Sequence, residues 1–370
     1  MKRIVICCDG TWNRPGKSRQ TNVSKLHDAV LNFAADGTRQ VRWYDRGVGT
    51  EGSLIDRLRG GAFGYGLGKN VQDAYTQIVR EYEPGDHLYL FGFSRGAYTA
   101  RSTLGMVRKC GVLRRELIGT VREAWAFYKN DLHPSTEVAK TFRRDHSVRV
   151  AEPDQTEDDY IPRAKLIGVW DTVGSLGVPV GRFREKFQFH DVALTSWVQN
   201  GFQALAIDER RKDYAPALWE QNPDPKVKQR MEQRWFAGVH SDVGGGAGEE
   251  GEDDQSDRCL RWIIERAREQ GLEFDDTLIE RTVSPRDDGK LHLGPGLLFS
   301  LVNLVRGTTL RDIGRGVPAD RSIYDGKAPS HEVVDPAVLK RQDAGGYHAP
   351  NVEAYWAANP AAKEAARQGF

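Results

Sequence analysis

This chain of 370 residues contains few cysteines. It also has no long apolar run and almost no excess of charge of one sign. No segment supplies the roughly 18 uncharged, apolar residues that a membrane-spanning helix needs, and the first apolar run, Ile4 to Cys8, is too short for a secretory signal. The 53 basic and 52 acidic residues leave a net charge of +1, which provides no general field for nucleic acid or an anionic membrane. We therefore predict no transmembrane segment and no nucleic-acid partner, while peripheral contact with lipid stays open.

Only four cysteines occur in the chain. Four are too few for a disulfide framework in a protein of this length, and Cys7 and Cys8 are adjacent in a predicted strand, which directs their side chains to opposite faces. A reducing compartment fits this usage. We expect the protein in the cytoplasm, or exported by a secretion system that requires no signal sequence.

Short apolar runs alternate with helical periodicity along the first 111 residues. Residues 71–82, for example, place apolar side chains at the i, i+3, i+4, i+7 spacing of a helix that lies on a core. The alternation of strand and helix predicts an α/β fold with a mostly parallel central sheet flanked by helices. The predicted strands are 2–8, 41–44, 87–93, 164–170 and 234–239.

Two regions interrupt the alternation. Residues 112–163 contain an amphipathic helix near Val121 to Tyr128 followed by an acidic stretch, and we predict that they form an insertion or cap. The tail after Pro329 is polar, with predicted helical pieces near Val352 to Ala358 and Ala361 to Gln368. We therefore divide the chain into an α/β core, residues 1–270, which contains the insertion, and a mainly helical C-terminal region, residues 271–370, packed on the core.

The pentapeptide Gly92-Phe93-Ser94-Arg95-Gly96 lies between a predicted strand and a predicted helix. This is the G-x-S-x-G nucleophile elbow in the context that the motif requires. A sharp turn lifts the serine above the carboxyl end of the sheet, and the flanking glycines allow the strand and helix backbones to pass closely. The motif predicts Ser94 as a nucleophile, with the amide of Arg95 at the helix N-terminus facing an oxyanion.

A serine hydroxyl needs a base, and the base needs an orienting acid. In this type of fold the acid and then the histidine follow the serine, each at the end of a later strand. Asp171 and His240 satisfy this order and placement. Asp191, Asp208 and Asp242 compete for the acid, but Asp171 directly follows a hydrophobic strand. The alternative for His240 is a structural histidine whose ring is satisfied by the backbone.

The turn after the first strand, Asp9-Gly10-Thr11-Trp12-Asn13, predicts the second oxyanion donor. The backbone amide of Gly10 or Thr11 is the candidate. In the alternative interpretation Asp9 and Asn13 only make side-chain turns, and both interpretations stay open.

No cofactor or metal is predicted. The run Gly47-Val48-Gly49-Thr50-Glu51-Gly52 fits the dinucleotide pattern, but Arg42 and Asp45 interrupt the strand before it. His-x-x-x-His and Glu-x-x-His spacings do not occur. A cation near Asp9, near His240 or in the acidic loop of residues 244–257 stays open, although we expect those acids to be solvated.

Five ordered blocks between residues 2 and 250 combine these motifs. They are Cys8-Asp9-Gly10-Thr11-Trp12-Asn13, Gly47-Val48-Gly49-Thr50, Gly92-Phe93-Ser94-Arg95-Gly96-Ala97-Tyr98-Thr99-Ala100-Arg101, Trp170-Asp171-Thr172-Val173-Gly174 and Gly238-Val239-His240-Ser241-Asp242-Val243-Gly244-Gly245-Gly246. In these blocks the chain resembles the uncharacterised α/β-hydrolase family that includes the catalytic domains of type VI secretion phospholipase effectors. The resemblance implies an α/β-hydrolase-like fold and a lipase or esterase with Ser94 as nucleophile, Asp171 as acid and His240 as base.

The expected substrates are carboxylic esters, including phospholipids and other lipid esters. The apolar stretch 291–302 lines an acyl groove, contacts a lipid surface or forms a core helix with a kinked start, and these alternatives stay open. Two further alternatives stay open, a non-catalytic interaction protein on a hydrolase fold and an esterase that acts on soluble esters without lipid activity.

Overall fold

The computed structural model describes residues 1–10, 20–47, 61–150, 158–173, 194–211, 214–222, 228–246, 255–292, 309–314 and 330–369. The strands are β1 (Arg3–Cys8), β2 (Gln40–Asp45), β3 (His87–Phe93), β4 (Ala164–Trp170), β5 (Asn200–Ala206), β6 (Arg230–Phe236) and β7 (Glu332–Val334). These seven described strands form one sheet in the order β2-β1-β3-β4-β5-β6-β7, and all six neighbouring pairs are parallel. The predicted α/β class with a parallel central sheet is confirmed.

Helices cover both faces of this sheet. The described helices are α1 (Asn22–Ala29), α2 (Gly61–Glu81), α3 (Arg95–Cys110), α4 (Val121–Tyr128), α5 (Glu137–His146), α6 (His240–Gly244), α7 (Gln255–Glu269), α8 (Asp276–Thr282), α9 (Pro336–Asp343), α10 (Pro350–Ala358) and α11 (Pro360–Arg367). Within the described ranges, no helix is both long and apolar enough to cross a bilayer.

The strand β1 shows why the sheet is buried on both faces. Its residues are all buried, and side chains alternate between two apolar clusters. Cys8 packs in the cluster that contains α2 and α3, whereas Cys7 packs in the cluster that contains α1 and α7. Their opposite orientation, predicted from adjacency in a strand, is therefore confirmed. All four cysteines of the chain are free and buried.

The predicted insertion lies against the helix that follows the elbow. After a 3₁₀ helix (Arg115–Thr120), α4 covers the residues predicted as an amphipathic helix. The buried Arg143 of α5 donates through Nε to Asp158 Oδ2 at 2.8 Å and through Nη1 to the carbonyl oxygen of Lys109 at 3.0 Å. The segment is thus tied to the C-terminal end of α3.

The sheet extends further than the sequence predicts. The strand β5 contains Asn200, Gly201 and Gln203, which conceal its apolar character, and β6 begins four residues earlier than predicted because charged residues occupy its first half. The C-terminal region supplies β7, and its helices pack on Leu205 and Trp235 in a third apolar cluster. The division at residue 270 stays a prediction.

Candidate active site

The turn between β3 and α3 has the geometry of a nucleophile elbow. Ser94 has φ 57° and ψ −119°, a region that residues other than glycine rarely occupy. A Cβ atom added to Gly92 would lie 2.5 Å from the carbonyl oxygen of Gly96, and one added to Gly96 would overlap the carbonyl of Cys8. Only glycine fits at both positions. The turn therefore holds the serine at the carboxyl edge of the sheet.

The second and third predicted residues lie in direct contact. Asp171 follows β4 and His240 begins α6, and Nδ1 of His240 donates to Oδ2 of Asp171 at 2.6 Å. Both residues are buried, Asp171 completely. The ring of His240 also lies 4.6 Å from that of Phe93 and meets the ring of Tyr214 edge-on at 4.9 Å, measured between centroids. The imidazole is therefore oriented by a carboxylate and two aromatic rings.

Ser94 lies next to this pair through the sheet register. Phe93 and Trp170 are partners in the β3 and β4 ladder, so that Ser94 and Asp171 follow them side by side. The amide of Ser94 donates to the carbonyl oxygen of Trp170 at 3.0 Å. Among the described residues, no hydrogen bond joins the Ser94 hydroxyl to His240. Catalytic hydrogen bonds are often long in a free enzyme and shorten when substrate binds.

A buried arginine completes the surroundings of Asp171, and sequence reasoning missed it. Nη1 of Arg311 donates to Oδ1 of Asp171 at 2.5 Å, and Nη2 donates to Oδ2 at 3.0 Å. Arg311 lies 140 residues after Asp171 in a segment without strand or helix periodicity, so that no local signal identifies it.

The ionisation of Asp171 follows from these contacts. Burial alone raises the pKa of this carboxyl, but the charge of Arg311 and the hydrogen bond from His240 outweigh burial and hold the pKa below its usual range. Asp171 is thus a carboxylate throughout the neutral range, which suits an acceptor for the imidazole N–H.

The competing acids have other partners. Asp208 accepts hydrogen bonds from the amide of Gly238 at 2.7 Å and from the hydroxyl of Tyr347 at 2.8 Å. Asp242 accepts from Nδ1 of His292 at 2.6 Å. Asp191 lies outside the described residues. Among the described candidates for the acid, Asp171 is the one whose side chain contacts the ring of His240.

The first predicted oxyanion donor lies at a helix N-terminus. Arg95 is the first residue of α3, and Ser94 precedes it as N-cap without a capping bond from its side chain. The first amides of a helix have no partner within the helix, and they carry the positive end of its dipole. The Arg95 amide is thus in a position suited to a negatively charged oxygen.

The other two predicted donors, Gly10 and Thr11, lie in the predicted turn after β1. The amide of Gly10 donates to Oδ1 of Asp9 at 2.6 Å, and its role as an oxyanion donor stays a prediction. Asp9 also accepts hydrogen bonds from the hydroxyls of Thr21, at 2.6 Å, and Tyr44. This carboxylate therefore fixes the turn, as the alternative interpretation of Asp9 predicts. Thr11 lies outside the described residues.

The remaining sequence candidates give no cation site. Within the described ranges, no group of three or more His, Cys, Asp or Glu side chains could hold a metal ion. Residues 247–254 of the acidic loop lie outside those ranges. The same holds for most of the apolar stretch 291–302, of which Leu291 packs against the third apolar cluster.

Comparison with known proteins identifies related chains. The family described as the catalytic domain of Tle1-like phospholipase effectors of type VI secretion systems matches residues 2–266. The uncharacterized protein YEL023C of Saccharomyces cerevisiae is 29% identical over 231 residues, which cover 57% of this chain and 31% of that protein. This chain thus spans about a third of the length of that curated relative.

Two solved structures are similar at lower identity. An uncharacterized protein from Pseudomonas aeruginosa is 16% identical with a TM-score of 0.43, over 77% of this chain and 49% of the other. The Tle1 effector bound to the VgrG spike of the type 6 secretion system is 18% identical with a TM-score of 0.38, over 66% of this chain and 51% of the other. This chain spans about half the length of each of them.

Proposed function

The chain belongs to the family of Tle1-like phospholipase effector catalytic domains, and from this premise we propose that it is a serine hydrolase that cleaves carboxylic esters. Membership confirms the resemblance carried by the five sequence blocks, and the α/β-hydrolase-like fold agrees with the parallel sheet and its elbow. Family membership indicates a hydrolase of the ester or lipid class. The proposal goes further and assigns the reaction to Ser94, His240 and Asp171.

In the proposed reaction the hydroxyl oxygen of Ser94 attacks the ester carbonyl carbon while Nε2 of His240 takes the hydroxyl proton. Asp171 holds Nδ1 and stabilises the imidazolium that forms. The tetrahedral intermediate expels the alcohol, which receives its proton from His240. A water molecule deprotonated by the same imidazole then attacks the acyl-enzyme, and the carboxylic acid leaves as Ser94 is regenerated.

The observation that carries the proposal is the 2.6 Å contact between Asp171 and His240 beside the strained turn of Ser94. The acid and the histidine are 69 residues apart in sequence, and a catalytic triad is recognised by such geometry rather than by spacing. Nδ1 of His240 is bound by the Asp171 carboxylate rather than by a backbone carbonyl. This arrangement favours a catalytic histidine over a structural one.

We assign the oxyanion hole to the amide of Arg95 and to the turn that contains Gly10 and Thr11. The Arg95 amide belongs to the helix N-terminus next to the nucleophile. If Gly10 also donates, the oxyanion must share or displace its present acceptor, the Asp9 carboxylate. Thr11, the next residue in the turn, is the second candidate.

A fluorophosphonate probe tests the nucleophile. We expect covalent labelling of the wild-type protein, mapped by peptide mass spectrometry to Ser94, and no labelling of Ser94→Ala. Ser135→Ala, which removes an exposed serine of the insertion, is the matched control and should label like wild type. Absence of an adduct on folded wild-type protein, checked by circular dichroism, contradicts the proposal and supports a non-catalytic interaction protein.

A cavity beside α3 supports lipid esters as the substrate class. It has a volume of about 470 Å³. Its lining combines apolar side chains such as Leu104, Ile167 and Leu194 with charged side chains such as Arg108 and Asp131. Pockets of this volume are typical of small-molecule sites. Arg101, which also lines the cavity, follows Ser94 by seven residues, about two helical turns.

Hydrogen bonds connect Arg101, which lines the cavity, to the residue that follows Asp171. Arg101 Nη1 donates to the carbonyl oxygen of Ala217 at 2.6 Å. The amide of Ala217 in turn donates to the carbonyl oxygen of Thr172 at 2.9 Å, and Thr172 directly follows Asp171. Ser94, Asp171 and His240 do not themselves line the cavity. We propose that the cavity receives an acyl chain that extends along α3 from an ester at Ser94.

Chain-length selectivity tests this substrate proposal. We expect Leu104→Trp, which fills the cavity, to lower kcat/KM for long-chain esters and dispersed phospholipids by about tenfold or more while short-chain esters change little. Val138→Trp adds the same ring at an exposed position of the insertion and is the control. Wild-type activity confined to short soluble esters removes the lipid proposal and leaves an esterase. An equal loss for both chain lengths removes the cavity as the acyl site.

The location of the protein stays a prediction, either cytoplasmic or exported by a secretion system that needs no signal. Membership of an effector family favours export. Separate measurement of the protein in cell and culture-medium fractions, with a cytoplasmic marker as control for lysis, decides between the two.

A further inference from the structure

Arg311 is a buried charge that the mechanism above does not use. Its side chain is 3% exposed, and its two terminal nitrogens bind both oxygens of Asp171 as a fork. The same nitrogens donate to two main-chain carbonyls, that of Ala206 at 2.9 Å and that of Tyr214. Such burial of a cation is costly unless its partners are well placed. The two terminal nitrogens have such partners, whereas Nε is buried without a hydrogen-bond partner among the described residues.

We propose that Arg311 is a positioning residue that holds the Asp171 carboxylate in the orientation required by His240 and opposes protonation of that imidazole. The proposal rests on the function proposed above, in which His240 acts as the base.

The orientation of the carboxylate follows from three sets of contacts. Oδ1 accepts from the amide of Ala206 at 3.1 Å and from Nη1 of Arg311, whereas Oδ2 accepts from Nη2 and from His240. Asp171 itself has φ 40°, which an L-residue keeps only when its surroundings hold it. A planar guanidinium fork fixes the plane of a carboxylate, which a single ammonium group cannot do.

The effect on charge follows from the order of the groups. The Asp171 carboxylate lies between two groups, the permanent cation of Arg311 and the imidazole of His240. An anion alone would favour the imidazolium form of its partner, and a nearby cation favours the neutral form. Arg311 thus offsets part of the field that Asp171 exerts on the imidazole.

Other charged and titratable groups also face His240. Glu209 accepts a hydrogen bond from the His240 amide at 3.3 Å and is paired with Arg211. Tyr214 meets the ring edge-on, and Asp242, two residues further along α6, is bound by His292. Among these groups, Tyr214 also contacts Arg311, because its carbonyl oxygen accepts from Nη2. Loss of that contact changes packing against the imidazole in any Arg311 variant, so the effect of charge is read from the difference between a variant that loses the cation and one that keeps it.

The pH profile of kcat/KM for a short-chain ester tests the proposal, because its acid limb reports the essential base of the free enzyme. We expect Arg311→Met to shift that limb upward by about one pH unit and to lower kcat. Arg311→Lys keeps the cation but loses the fork, so the limb should stay near its wild-type position while kcat falls. Arg143→Met, which removes a buried arginine paired with Asp158 in the insertion, is the control and should leave the limb in place.

A profile of Arg311→Met that superimposes on wild type after scaling overturns the proposed effect on charge. Wild-type kcat in Arg311→Lys overturns the positioning role, and this variant carries the test if the methionine variant does not fold. Failure of the proposed function itself is recognised separately, because wild-type protein then shows neither ester hydrolysis nor labelling of Ser94.

Discussion

Two buried arginine–aspartate pairs lie in different regions of this molecule. Arg311 binds Asp171 at the carboxyl edge of the sheet, and Arg143 binds Asp158 in the insertion. Each arginine also donates to two main-chain carbonyls. The pairs differ in the third partner of the carboxylate, because Asp171 also accepts from a histidine ring whereas Asp158 accepts from the amide of Tyr160 at 3.1 Å.

The group that binds the carboxylate besides arginine, an imidazole in one pair and a backbone amide in the other, determines what each pair can do. A backbone amide cannot take up a proton, so the pair in the insertion can only hold chain segments together. An imidazole can, so the pair at the sheet edge is linked to a group that exchanges protons near neutral pH. The difference predicts that one pair affects stability alone and the other affects activity as well.

The largest expected difference is catalytic. Asp171→Asn keeps the shape of the side chain but loses the charge that orients the imidazole, and we expect kcat to fall by about 10⁴-fold. Asp158→Asn should leave kcat of the folded protein close to that of wild type. Steady-state hydrolysis of a short-chain ester measures both variants. Equal losses would show that the two pairs do not differ in this respect.

The pair in the insertion should contribute to stability. Arg143→Met leaves the carboxylate of Asp158 buried without its cation, and we expect the free energy of unfolding to fall by about 3–5 kcal/mol. Arg144→Met removes the exposed neighbouring charge and should change it by less than about 0.5 kcal/mol. Urea denaturation measures both variants. A similar small change in each would mean that the buried pair contributes little to stability.

Acid should weaken the fold through the pair at the sheet edge. Burial raises the pKa of Asp171, but Arg311 and His240 lower it below the ordinary value of 3.8. A carboxyl with a lowered pKa in the folded state stabilises the fold above its ordinary pKa, and this stabilisation is lost as the pH falls below that value. We expect the urea midpoint of wild type to fall more steeply than that of Asp171→Asn as the pH is lowered below about 4. Parallel curves would contradict this.

The smallest expected effect concerns backbone strain. Three described residues other than glycine have positive φ, and two of them, Ser94 and Asp171, lie at the carboxyl edge of the sheet. We expect Ser94→Gly to raise the free energy of unfolding by about 1 kcal/mol while activity is abolished. Ser135→Gly in the insertion provides the control and should not stabilise. Thermal unfolding distinguishes them, and destabilisation by Ser94→Gly would exclude strain at the elbow.

Much of the active-site region could be predicted because its signals are local. The elbow needs glycine at two fixed positions around Ser94, since any Cβ there would collide with backbone. Asp171 and His240 follow strands with recognisable apolar residues. The carboxyl ends of parallel strands share one edge of the sheet, so that order and strand position place these two residues together.

The missed elements lack such signals. Gln203 gives β5 a polar appearance, yet in the fold its amide is buried and donates to Gln233 of β6 at 2.8 Å. The three residues of β7 are too short for any periodicity. The sequence left two interpretations of the turn at Gly10 open because the direction of an amide depends on its neighbours, here the Asp9 carboxylate.

The sequence by itself determined the α/β class, the family and the turn that exposes Ser94, because each depends on residues close together in the chain. Only the tertiary structure decided that Arg311 binds Asp171 across 140 residues. A buried charge is stable only where its partners converge, and that convergence is a property of the packed chain and not of any one segment.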